Sequence, residues 1–410
     1  MKINPTATFF SLFFIVFAAC TSWQKKEKVD PNQEFITQYE HYIEKEIAEE
    51  KLPGAEVIIV KNDTVLMHVV KGYSDFNLKK PLEKNSIYYI QSMTKPIISI
   101  AIMQLIEKGL LDLDDPVSDY IPEINQMKVA LSMEEIHGAS EPITTIMTIR
   151  QLLTHTAGFS HGLGDNPLEQ YVYDVLYGKP MNYNVFSTLE ERVQALLTLP
   201  LIGQPGKQWH YSAAPDLLGL IIEKISNQTL AEYLQEHIFN PLGMTDTGYN
   251  ITPSEAGRFM AFHLFDTNER LVKSEIQVPT TGNTIFGGTH GLFSTPIDYL
   301  QFCQMIVNHG SLNGHQIVAP ETLLEMRKNQ VGDLYGQEGK GFGLGFEVIL
   351  NSEATKEIQN TGQLSWSGYF RTHFFIHPEQ KLIGIWMTQM HPYSNDYGDK
   401  LQEFAYKAIR

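Results

Sequence analysis

A serine and a lysine three positions apart, Ser92 and Lys95 in Gln91-Ser92-Met93-Thr94-Lys95-Pro96, stand where a β-rich run stops and an apolar helical pattern begins. On a helix such a pair shares one face, which puts the amine within hydrogen-bond reach of the hydroxyl. This is the geometry of a base beside a nucleophile. A free lysine titrates near ~10.4, so an amine that is neutral near pH 7 needs about 4 kcal/mol of differential interaction. Desolvation under apolar cover supplies much of that, and the positive end of the helix dipole adds to it. Unpaired N–H groups at the helix start can also hold an oxyanion at Ser92.

Two similar patterns lack this setting. Ser22-Trp23-Gln24-Lys25 repeats the spacing in a polar tail, with no strand before it and no apolar helix after it, and reads as chance. Gly158-Phe159-Ser160-His161-Gly162 is a literal G-x-S-x-G, whose chemistry requires a buried strand before the serine and a helix behind it. Here the helical pattern of Ile149 to His155 comes first and a loop follows, so Ser160 is set aside as nucleophile and His155 and His161 read as structural or loop residues.

Partners for Ser92 are sought downstream. Gln204 to Pro215 places Tyr211 in a turn before a helix, and a phenol on a loop can be aimed into a cleft. The competing reading is that Tyr211 only packs on or caps the helix from Pro215 to Ser226. Gly362 to Thr372, with Trp366, Ser367, Gly368, Tyr369 and Arg371, enters a strand. A glycine there permits close backbone approach, and a strand-edge N–H can be a second oxyanion donor. An ordinary strand entry with a core tryptophan fits that stretch equally well.

The elements that must position these residues follow from periodicity. Phe35 to Lys51 has helical spacing; Ala55 to Lys61 and Val65 to Lys71 are β-branched runs joined by Asn62-Asp63, a hairpin pattern; Ile87 to Ile90 adds a short strand. The helix after Ser92 runs to Glu107 or Lys108, with Gly109 as its stop. Residues 110–285 are rich in loops and helices. After a helix from Pro296 to Asn308, strand patterns return at Gly345 to Leu350, Phe370 to Ile376 and Leu382 to Thr388, and Tyr397 to Ile409 closes as a helix. The expected class is α+β: one sheet assembled from residues 34–109 and 286–410, flanked by helices, with a mostly helical domain, 110–285, hung from its middle and the site in the cleft between them.

The chain has 410 residues, 43% hydrophobic and 19% charged, enough for two domains. Its formal charge of −16 opposes nucleic acid and bare anionic membrane surfaces as partners. Ala7 to Cys20 is apolar after an early Lys2, too short for a comfortable span and right for a signal segment, 1–19. Phe17-Ala18-Ala19-Cys20 resembles a bacterial lipobox, so the expectation is Cys20 as the lipidated first residue of a mature chain tethered through 20–33 and exported to the periplasmic or cell-surface face, with a plain secretory signal as the alternative because Phe17 is less usual there than Leu. With Cys303 as the other cysteine, no internal disulfide is expected. The 14 histidines show no ligand spacing, so neither a metal nor a cofactor is expected.

Taken in order, these stretches resemble the serine β-lactamase and penicillin-binding-protein superfamily, in its class C-like branch with the family VIII esterases. The resemblance is carried by Ser92-Met93-Thr94-Lys95, Leu152-Leu153-Thr154-His155-Thr156-Ala157-Gly158, Pro205-Gly206 with Trp209-His210-Tyr211-Ser212, Pro241-Leu242-Gly243-Met244-Thr245-Asp246-Thr247, and Gly291 to Tyr299. It implies that Ser92 is acylated, that Lys95 and Tyr211 share the acid and base work, and that the N–H groups of Ser92 and Tyr369 form the oxyanion hole. Trp366, Ser367, Gly368 and Arg371 would contact substrate.

Two departures shape the expected chemistry. The Tyr-x-Asn pattern of the lactamases is Tyr211-Ser212-Ala213 here, and the literal Tyr393-Ser394-Asn395 falls after the third motif, where it reads as a loop coincidence. Lys-Thr-Gly is replaced by Trp366-Ser367-Gly368, which removes a cation suited to a substrate carboxylate unless Arg371 or His373 compensates. The expectation is a lipid-anchored serine hydrolase that takes small ester, amide or lactam substrates through an acyl-enzyme, with ester hydrolysis first and a neutral, apolar acyl group favoured by Trp366. The alternatives are a β-lactamase or D-amino-acid peptidase, and a catalytically silent cell-wall-binding protein.

Overall fold

The computed structural model describes residue 1 and residues 31–178, 186–353 and 360–409. Residues 2–19 of the expected signal segment, Cys20 and most of the tether lie outside the described residues. Helix α1 spans Pro31–Ala48, beginning a few residues ahead of the expected start. Strands β1 (Gly54–Lys61) and β2 (Thr64–Asp75) form the hairpin, turning through Asn62 and Asp63 at φ +50° and +60°. Asn and Asp are the non-glycine residues best suited to that left-handed turn. Strand β3 is the short Lys80–Pro81.

Helix α2 (Thr94–Glu107) ends as Gly109 takes φ +67°. Then come α3 (Ile149–Leu153), α4 (Pro167–Tyr177), α5 (Leu189–Leu197), α6 (Pro215–Ser226) and α7 (Pro296–Val307). The chain returns to the sheet with β4 (Lys340–Phe342), β5 (Glu347–Ile349), β6 (Leu364–Gly368), β7 (Thr372–His377) and β8 (Leu382–Met387), and α8 (Asp396–Ala408) follows.

The sheet has the order β4-β5-β6-β7-β8-β1-β2-β3, and every neighbouring pair is antiparallel. Strand β1 is apolar on both faces because both are covered. Val57 and Ile59 join Tyr39, Trp386 and Leu401 under α1 and α8, whereas Ile58 and Val60 join Ile97, Ile98 and Tyr299 under α2 and α7. The second of these cores runs on without a break into Leu152, Val193, Leu217 and Ile221 of the helices beyond α2. Burial around α2 is nearly complete, so the element that carries Lys95 is anchored from all sides.

Two local expectations need correction. Tyr88–Tyr89 pairs with Phe293–Ser294 rather than joining the main sheet. Gly362 to Thr372 does not run into a single strand: β6 and β7 are a hairpin, and Tyr369 to Arg371 form its turn, with Arg371 at φ +64°.

Candidate active site

Gln91–Met93 forms one turn of 3-10 helix that feeds directly into α2. Gln91 holds a left-handed φ of +48°, which costs a non-glycine residue about 1–2 kcal/mol. The strained turn sits immediately before Ser92. In α2, Lys95 is almost fully buried, with its Nζ 3.0 Å from Ser92 Oγ and 2.9 Å from the carbonyl oxygen of Thr289. Tyr211 donates its hydroxyl to Ser92 Oγ at 2.6 Å, and its ring lies under Lys95 Nζ at 4.5 Å. The three residues, up to 119 positions apart in sequence, meet at one oxygen atom.

Burial sets the proton inventory of this trio. Desolvation holds the Lys95 ammonium well below the usual lysine range, the Asp216 carboxylate opposes that shift, and the Arg192 guanidinium adds to it. Burial pushes the Tyr211 phenol up. The uncharged pair, amine and phenol, is therefore favoured over an ammonium–phenolate pair. A neutral Lys95 has two N–H bonds and one lone pair. Donating to Thr289 O leaves the lone pair free to accept the Ser92 proton, while Tyr211 donates to the same Oγ.

The acceptor for Lys95 is itself fixed. Thr289 N–H donates to Asp216 Oδ1 at 2.8 Å and its hydroxyl donates to Ala213 O at 3.1 Å. Asp216, in the first turn of α6, receives Arg192 Nε of α5 at 2.8 Å in an ion pair with side-chain exposures of 0% and 5%. Sequence reasoning missed Asp216, Arg192 and Thr289, because a buried ion pair between two helices has no local signature.

Tyr211 rests in a cradle made by the stretch that carries G-x-S-x-G. His155 and His161 lie against its ring, with centroids 5.0 and 5.2 Å away. His155 Nδ1 is 2.9 Å from Ser212 Oγ, and His155 O accepts from His210 N at 2.9 Å. Glu169 Oε1 receives Ser160 Oγ at 2.7 Å and sits 2.8 Å from His210 Nε2. Ser160 is thus spent on Glu169 and stands apart from the Ser92, Lys95 and Tyr211 cluster. Burial holds both His155 and His161 well below the ordinary histidine range, so neither brings a cation to the phenol.

Gly368 explains how β6 reaches the Ser92 turn. A Cβ on it would stand 2.5 Å from Ile90 O and 2.2 Å from Thr372 Oγ1, so only glycine lets the strand end pass beside the Ser92 turn. The next residue is Tyr369, whose N–H is the second oxyanion candidate.

A cavity of about 650 Å³ opens over these groups and is lined by Ser92, Tyr211, Trp366, Ser367, Gly368 and Tyr369 among others. Arg371 is not part of that wall. From the hairpin turn its Nε donates at 2.7 Å to the carbonyl oxygen of Pro392, which does line the cavity. His373 is buried, pushed down to about 3 by desolvation, and bonded through Nδ1 to Ser367 Oγ at 2.8 Å, so it offers no cation either. Tyr393 and Asn395, read as a coincidence, do line the cavity, and Asn395 Oδ1 accepts from Ser367 Oγ at 2.9 Å. Among the described residues no group of three His, Cys, Asp or Glu is placed to hold a metal ion.

A helix-backed antiparallel sheet with serine, lysine and tyrosine converging beside its edge defines a class of acyl-transferring serine hydrolases. The family model described as Beta-lactamase matches residues 39–405, and the chain belongs to that family. Esterase EstB of Burkholderia gladioli is 28% identical over 352 residues, which cover 80% of this chain and 84% of EstB. Lovastatin esterase of Penicillium rubens is 28% identical over 334 residues, covering 76% and 81%. The solved structure of EstCE1, described as a hydrolase with promiscuous acyltransferase activity, matches with a TM-score of 0.78 at 24% identity over 92% of this chain and 99% of that one, a likeness of fold.

Proposed function

We propose that this enzyme is a carboxylesterase-type serine hydrolase working through an acyl-enzyme on Ser92. The observation that carries the reading is the pair of contacts at one atom, Lys95 Nζ at 3.0 Å and Tyr211 Oη at 2.6 Å from Ser92 Oγ. Neutral Lys95 takes the serine proton as Oγ attacks the ester carbonyl carbon. The N–H groups of Ser92 and Tyr369 receive the oxyanion. As the tetrahedral intermediate collapses, Tyr211 gives its proton to the departing alkoxide and is reprotonated from Lys95. Water then enters on the alcohol side, loses its proton to the same pair and releases the acid.

Ester cleavage is placed ahead of β-lactam or D-peptide cleavage by the charge of the cleft. Lys340 is the one lysine or arginine among the described lining residues, and Glu347 Oε1 holds its Nζ at 3.2 Å. A substrate carboxylate would have to compete with Glu347 for that cation. The names of EstB and lovastatin esterase agree with this order. Export and lipid anchoring through Cys20 belong to the same proposal. They rest on the apolar run before Cys20. Metabolic labelling with a fatty acid, present in the full chain and lost in Cys20→Ser, tests the anchor. Turnover of a short-chain ester against a cephalosporin, with Ser92→Ala as control, tests the chemistry.

A further inference from the structure

We infer that the alcohol half of the ester is a neutral, polyhydroxylated ring, so that the natural substrate is an O-acylated sugar or sugar-like polyol. The inference rests on the esterase reading and concerns the side of the cavity from which the alcohol leaves. Tyr211 protonates the leaving oxygen, so the alcohol occupies the Tyr211 side of Ser92. There the wall is aromatic: Trp366 lies 5.5 Å and Trp209 6.5 Å from the Tyr211 ring, and Tyr335 stands edge-on to Trp209 at 4.7 Å. The faces of such rings pack well on the C–H faces of a saturated ring.

An aliphatic alcohol would satisfy the aromatic wall alone, but the same arm of the cavity is densely polar. Glu347 Oε2 accepts from Tyr335 Oη at 2.5 Å, and Oε1 takes Lys340 Nζ at 3.2 Å and Ser365 Oγ at 3.4 Å. Nearby, Ser367 Oγ donates to Asn395 Oδ1 at 2.9 Å, and Asn395 Nδ2 donates to Asp399 Oδ1 at 2.7 Å. All of these residues line the cavity.

The recognition chemistry can be read from this set. The arm presents donors (Lys340, Asn395 Nδ2) and acceptors (Glu347, Asp399) side by side. Hydroxyl groups both donate and accept, so a polyol can use every one of them, whereas an apolar alcohol would desolvate them without return. Charge excludes the anionic alternatives: Lys340 is countered by Glu347, and Asp399 adds a further carboxylate, so a phosphate or carboxylate on the alcohol meets repulsion.

The test compares two acetates with leaving groups of matched shape: a methyl glucoside acetylated on its primary hydroxyl, and cyclohexylmethyl acetate. The proposal predicts a kcat/KM about tenfold or more higher for the sugar ester, since a site built for hydroxyls rejects the analogue lacking them. It also predicts that Glu347→Gln and, separately, Asn395→Ala shrink that ratio, the second variant guarding against misfolding of the first. Equal turnover of both acetates, or a preference for cyclohexylmethyl acetate, overturns the polyol assignment and leaves the esterase standing. Absence of turnover and of any acyl adduct with both overturns the esterase reading as well.

Discussion

Tyr211 and Ser92 are joined by a 2.6 Å hydrogen bond in which the phenol donates and the serine oxygen accepts, so the serine proton is left to point toward Lys95. The roles of the two partners are thereby separated before substrate arrives. The proposed mechanism requires Lys95 without its proton and Tyr211 with its own. Because burial lowers the lysine and raises the phenol, kcat/KM should rise with pH through the depressed Lys95 value, stay level, and fall only above the normal tyrosine range. A pH–rate profile on a neutral ester checks this. Tyr211→Phe should keep the fold and lower kcat by about 10²–10⁴-fold.

The buried ion pair of Arg192 and Asp216 holds the carbonyl that receives Lys95. Asp216→Asn leaves a buried guanidinium without its counter-charge, and breaking such a pair costs about 3–5 kcal/mol. Denaturant unfolding should show that loss, and the remaining folded enzyme should be slow because Thr289 no longer presents its carbonyl to the amine.

Glu169 braces Tyr211, the general acid of the proposed mechanism, and is not among the residues that line the cavity. It joins Ser160 to His210, the neighbour of Tyr211, and an amide in its place would set an N–H₂ against groups that now donate to the carboxylate. Glu169→Gln should therefore reduce kcat by about 10²-fold with KM little changed, since a small displacement of a reacting group is enough for that loss. A purely structural role would lower the amount of active enzyme, measured by active-site titration, and leave kcat per active site intact.

Gly368→Ala tests the approach of β6 to the nucleophile. A Cβ 2.5 Å from Ile90 O forces the strand away from the Ser92 turn and carries the Tyr369 N–H with it. Loss of one oxyanion donor costs about 10²–10³-fold in kcat. The variant should still be folded by circular dichroism, and its acylation step should be the slow one in a burst experiment.

Much of this site was legible before the fold. Ser92 and Lys95 are close in sequence, and the switch from strand to helical pattern between them and the preceding run located the turn. Gly109, Asn62-Asp63 and the helix from Pro215 to Ser226 were visible through their stop, turn and start residues. What was not legible is long-range. Whether Tyr211 reaches Ser92 depends on the cradle of His155, His161 and Glu169. Arg371 could not be oriented from alternation, because a hairpin turn, not a continuous strand, contains it. Tyr393 and Asn395 reach the cavity only because the segment before α8 folds back over β6.

The central claim is a covalent acyl group on Ser92 Oγ. The most direct measurement is the intact mass of residues 21–410 mixed rapidly with a short-chain p-nitrophenyl ester, followed by peptide mapping. The account predicts one acyl increment, located on the peptide that carries Ser92, formed faster than it is lost in Tyr211→Phe and absent from Ser92→Ala. Ester turnover that persists in Ser92→Ala, or an adduct mapped to another residue such as Ser160, would contradict it.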